Sequence, residues 1–153
     1  MDYIDDGYID EWMRAGRAHR VEADFCTAFH GWLRGLPWLP SRVDWTRLSH
    51  TVVDCSPLTD REIVVLTREH PIGRHTHLLV MYAPDQPGIV CEFDTGIGNL
   101  DLLYWTAPGA RYFCGASLVD GVLVPSHEYF GEFDGHTKIR LHTPATKAPA
   151  RQG

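Results

Sequence analysis

The chain has 153 residues, 44% hydrophobic and 22% charged, with a formal net charge of −6, which suits one domain with a full core and excludes wholesale disorder. Its longest uninterrupted apolar run, residues 78–83, falls far short of the roughly 20 residues a membrane-spanning helix needs, and the start Met1-Asp2-Tyr3-Ile4-Asp5-Asp6 lacks a signal-peptide pattern. Between Arg74 and Lys138 a single base, Arg111, stands against eight carboxylates, a distribution that repels phosphate backbones and excludes direct nucleic-acid binding.

The N-terminal third reads as helix. Val21, Phe25, Ala28, Phe29, Trp32, Leu33 and Leu36 form one apolar stripe at helical period. Trp12, Ala15 and Ala18 extend the stripe backward across a break near Gly16, with Asp6 as N-cap. Gly35, Pro37 and Pro40 end the helix, and Asp44 offers an N-cap for a short turn through Trp45 and Leu48. From about residue 60 the period changes to that of strands, expected over 63–67, 76–83, 89–94, 100–105 and 111–117. Two Asp-Gly pairs, Asp120-Gly121 and Asp134-Gly135, are hairpin turns by composition. The first joins 118–119 to 122–124, and the second joins 128–133 to 137–142. The connections are too short for crossover helices. The expected fold is α+β, an N-terminal helix or broken helix pair on a curved, mainly antiparallel meander. One domain covers 1–143, and 144–153 lacks apolar periodicity and reads as a flexible tail.

No motif fixes a reaction. Cys26, Cys55, Cys91 and Cys114 contain no CxxC pair, so they are expected as reduced, buried thiols rather than zinc ligands or a redox couple. The segment 94–99, Asp-Thr-Gly-Ile-Gly-Asn, has neither the third glycine nor the following Lys of a phosphate loop and reads as a strand-to-strand connection. His75 and His77 are two apart and would share a strand face, with His70 across a turn as a third metal ligand. No second anchored motif fixes the rest of such a site, and no cofactor is expected.

The remaining surplus is acidic and aromatic. Glu92, Asp94, Asp101, Glu128, Glu132 and Asp134 share the sheet region with Tyr104, Tyr112 and Tyr129. Rings among carboxylates without lysine have the composition of a protein-binding surface, and an acidic face speeds association with a basic partner. These nine residues are the expected contact set. Small size, acidity and the lack of a coherent active site resemble toxin-immunity proteins, a likeness of type that no motif carries. It implies a non-enzymatic bacterial protein of the cytoplasm that neutralises a basic toxin domain. Two rivals stand beside it: a metal-dependent enzyme or metal-binding domain using His70, His75 and His77, and a small-molecule-binding cup formed by the sheet.

Overall fold

Seven antiparallel strands make one sheet in the order β1-β4-β3-β5-β6-β7-β2 in the computed structural model, which describes residues 10–100, 103, 111–134 and 137–144. The strands are β1 (Ala18–Val21), β2 (His50–Asp54), β3 (His77–Met81), β4 (Gly88–Glu92), β5 (Arg111–Val119), β6 (Val122–Phe133) and β7 (Lys138–His142). Four helices, α1 (Asp10–Arg14), α2 (Ala23–Leu33), α3 (Asp60–Glu69) and α4 (Phe93–Ile97), cover both faces. The sheet is not closed into a barrel.

Alternation along the strands divides the core in two. Leu78, Val80, Ile89, Cys91, Phe113, Phe133, Ile139 and Leu141 point to one face. There they meet Trp12 of α1, Ile63 of α3, Ile72, and Phe93 and Ile97 of α4. Leu79, Met81, Val90, Tyr112, Cys114 and Phe130 point to the other face, under Cys26, Phe29 and Leu33 of α2 and under Val43 and Trp45. Phe130 is the hub of this second core. Its ring stacks on Trp45 at 5.1 Å and on His142 at 4.9 Å, with Trp32 edge-on at 5.5 Å.

The α+β class and the antiparallel sheet are as the sequence implies, and several elements within them differ. Residues 63–67 are not a strand but the middle of α3. Thr59 and Glu62 close a reciprocal capping box at its start, and this local signal, with Ile63 and Thr67 one turn apart on the buried side, outweighs the strand propensity of Ile63-Val64-Val65. Residues 93–97 form the short α4, not the end of a strand followed by a loop. The backward extension of the first helix is instead α1, a reversal at Gly16 (φ 76°) and the edge strand β1. The edge strand β2 carries no period long enough to be read. A simple meander therefore gives way to insertions. The chain between β1 and β2, with α2, passes from one edge of the sheet to the other, and α3 leads back from β2 to β3 inside the sheet. Asp6, most of the expected strand over 100–105, and the tail from residue 145 lie outside the described residues.

Candidate protein-binding surface

The nine expected contact residues do not form one face. Asp101 and Tyr104 lie outside the described residues. Glu92 is exposed at the end of β4, opposite His77, and Asp94 is paired with Arg68 at 2.9 Å. Asp134 closes the β6–β7 turn by accepting from the backbone N–H of Lys138 and from Arg140. Arg140, Thr137 and that N–H hold its carboxyl below the usual range against the opposing effect of partial burial. Glu128 is exposed and Tyr129 half-buried.

Tyr112 and Glu132 require a correction, because both are buried and neither can touch a partner from where it stands. They are cross-strand neighbours on the α2 face, roofed by residues 36–48. Glu132 has no exposed surface, and its Oε1 accepts from Trp45 Nε1 and from Arg42 Nη2, both at 2.7 Å. The Tyr112 hydroxyl accepts from the Val43 N–H at 2.9 Å. Burial, with Glu132 adding to it, raises the phenol's pKa above its ordinary value. Burial works against the Arg42 charge, but Glu132 more than offsets it and raises the guanidinium pKa. This cluster fastens a loop that has little regular structure beyond the Trp38–Val43 bridge and a 3-10 turn, Trp45–Arg47, capped by Asp44. Sequence reading found the Asp44 cap. It placed Glu132 on the surface because a lone Glu in a strand is ordinarily solvated.

The three candidate metal-ligating histidines face separate surroundings. His70 caps the C-terminus of α3, where its Nδ1 accepts from the Ile72 N–H and its Nε2 lies 3.4 Å from Thr143 Oγ1. His75 precedes β3, so the two-residue strand spacing does not apply to it. Its ring covers Gly115, bonds Ser117 Oγ at 3.1 Å and meets Tyr129 at 5.1 Å. His77 bonds Thr76 Oγ1. Burial lowers the pKa of all three. Among the described residues, no three His, Cys, Asp or Glu side chains converge as metal ligands would. The cysteines are all buried, and burial pushes the Cys26 and Cys91 thiols up to about 11 and about 12, opposite to the shift a nucleophile needs.

A surface the sequence did not single out is the far half of the β5–β6 hairpin. β3 accompanies β5 only as far as Ala116, and β7 accompanies β6 only from Gly131. Beyond those points, residues 117–119 and 122–124 pair only with each other among the described residues, making a two-stranded ribbon. Asp120 and Gly121, with φ of 51° and 79°, form the tight turn the Asp-Gly pair predicts. A step in the register lies between Cys114 and Gly115, two residues before the ribbon begins, since Phe130 and Ser126 are consecutive partners across it. Residues 127–129 have no register partner in that step. His127 stacks on Phe29 at 5.4 Å on the α2 side, and Tyr129 meets His75 on the other.

The ribbon is unusually apolar for a projecting element. Leu118 is 50% exposed, Val119 53%, Val122 63% and Val124 44%, half of the large exposed hydrophobic side chains on the described surface. Val119 and Val122 are directly opposed, as are Ser117 and Val124, and the two pairs share a face. Leu118 and the partly buried Leu123 occupy the other face. At the root on the α2 side lies a groove of about 420 Å³ lined by Glu22, Asp24, Phe25, Ala28, Pro125 and His127. Two carboxylates and no Lys or Arg line it. The signal available in the sequence was the run Leu118-Val119 and Val122-Leu123-Val124, apolar on consecutive positions, where a strand with one solvated face alternates.

Comparison with protein-family models, with curated proteins and with solved structures finds no match. No helix among the described residues is long and apolar enough to cross a membrane.

Proposed function

We propose that this chain is a non-enzymatic protein-binding domain of the cytoplasm that neutralises a basic bacterial toxin domain as its immunity partner. The observation that carries the reading is the β5–β6 ribbon, with its valines about half exposed on one face and Leu118 on the other, where the acidic groove of Glu22 and Asp24 lies at the root. Covering the exposed halves of four such side chains contributes about 1 kcal/mol each, enough for a central apolar anchor. No Lys or Arg occurs from residue 112 to residue 137, so Glu128 and Asp120 add to the attraction for a basic partner. The contact set is thereby revised. Glu128 and Tyr129 stay at its margin beside Glu22, Asp24, Leu118, Val119, Val122 and Val124, while Tyr112 and Glu132 hold the fold beneath it.

Expressing the product of the adjacent gene in a test bacterium, with and without this chain, tests the proposal. Growth arrest by the neighbour alone, rescue by this chain, and loss of rescue in the Val119→Asp/Val122→Asp variant are the expected results. A harmless neighbour, or rescue that the ribbon variant leaves intact, refutes it.

A further inference from the structure

We propose that two copies of this chain pair through the β2 edge, antiparallel and centred on Val52, to form one continuous sheet across a twofold axis. β2 ends the sheet, with β7 on its inner side. The backbone bonds from Thr143 to Ser49 and from Cys55 to Thr137, with the register between them, direct the odd-numbered residues of β2 toward β7. In an antiparallel ladder the intervening residues point the other way. The N–H and C=O groups of His50, Val52 and Asp54 therefore face outward along this edge.

That triplet is self-complementary. Pairing Val52 with Val52 of a second copy sets His50 opposite Asp54 twice, related by the axis, and allows six backbone hydrogen bonds. All three side chains lie on one face, because they alternate with Val53, which belongs to the opposite core. Val52, 46% exposed, would meet its own copy between two His–Asp pairs. His50 is prepared for this role. Its Nδ1 lies 2.8 Å from the Leu48 carbonyl, so that nitrogen carries a hydrogen and donates, and in the imidazolium form the second N–H, on Nε2, is the donor for the facing carboxylate. Trp45 holds the ring at 5.2 Å. On the α3 side, a groove of about 590 Å³ runs beside β2 over Val53, Leu58, Leu66 and His70, and Val65 and Leu66 stay 49% and 42% exposed next to it. This apolar strip supplies area that a five-residue ladder lacks, since stable interfaces bury on the order of 1,000 Å² or more.

An edge so exposed ordinarily carries a lysine, a proline or a bulge that blocks pairing. β2 reads His-Thr-Val-Val-Asp and has none of these. The proposal is independent of the ribbon, which belongs to β5 and β6, and a dimer of this form would carry two ribbons.

Sedimentation equilibrium of the full-length chain decides the matter. At about 100 μM, where a micromolar dimer is nearly saturated, the expected mass is twice the 17.3 kDa of one chain. Val52→Lys places two ammonium groups on the axis and should give a monomer with unchanged circular dichroism. His50→Asp sets carboxylate against carboxylate and should weaken the dimer at least about tenfold. The exchange His50→Asp/Asp54→His restores the complementary pairs and should restore the dimer. A wild-type monomer at this concentration overturns the proposal. So does a Val52→Lys protein that still dimerises, or an exchange variant no tighter than His50→Asp alone.

Discussion

Removing the charge of Glu132 should destabilise the wild-type protein and stabilise a variant that already lacks Arg42. Glu132 is fully buried, and its charge is balanced by one guanidinium and one indole N–H on the same oxygen. Its second oxygen accepts no hydrogen bond from the described residues. Deleting one partner of a buried pair costs about 3–5 kcal/mol. The Arg42 side chain is 36% exposed, so water screens part of its interaction, and Arg42→Leu should cost about 2 kcal/mol. For a chain of this size that lowers Tm by about 4–8 °C. Glu132→Gln keeps an acceptor for Trp45 and Arg42 and should cost about 1 kcal/mol by leaving amide hydrogens without partners. In the Arg42→Leu background the same change removes an uncompensated buried charge, so the double variant should be more stable than Arg42→Leu alone. Urea unfolding followed by tryptophan fluorescence measures all four proteins. Equal costs of Glu132→Gln in both backgrounds would refute the reasoning, because additivity means that the two groups are not coupled.

Other outcomes follow from the same structure. His70, His75, His77 and His127 have pKa values held below 6.5, with burial as the main cause in each. The folded state therefore disfavours the proton relative to the unfolded chain. This stability is fully present above 6.5 and is lost as pH falls through the lower folded values, so Tm should drop on acidification from pH 7 toward about 5. A thiol reagent at pH 8 should leave all four buried cysteines unmodified in the native protein and label four in urea; native labelling faster than the wild-type unfolding rate would contradict their burial. Gly131→Ala would place its Cβ 2.7 Å from Phe113 Cζ and 2.8 Å from the Arg140 carbonyl oxygen, and should cost about 1–3 kcal/mol in chemical denaturation. Val119→Thr/Val122→Thr should change stability by less than about 0.5 kcal/mol, since both side chains already face solvent.

The parts of this fold legible in the sequence are those fixed by neighbours along the chain. Helix α2 showed its stripe, the 3-10 turn its Asp44 cap, and the β5–β6 turn its Asp-Gly pair. The expected strand over 76–83 is β3, and that over 137–142 contains β7. What escaped depends on tertiary pairing. Four-residue β1 and five-residue β2 are too short to show a period, and each is a strand only because β4 or β7 lies alongside. Helix α3 was misread because Ile63, Val64 and Val65 are β-branched and the apolar run continues through Leu66, although Thr59 and Glu62 carried the helix-start pattern. The acidic surface was misjudged for a related reason: burial of Glu132 and Tyr112 is a property of the loop over 36–48, nearly ninety residues away in sequence from Glu132. Composition pointed to carboxylates and rings, whereas exposure points to the ribbon's aliphatic side chains.

The proposed function stands or falls on whether that ribbon is the contact. Isothermal titration of the purified product of the adjacent gene into this chain, and into its Val119→Asp/Val122→Asp variant, measures it directly. The predicted result is saturable binding by the wild type that weakens with added salt and falls at least about 30-fold in the variant, the equivalent of about 2 kcal/mol from two half-exposed valines. Absence of binding, or equal affinity for both proteins, would contradict it.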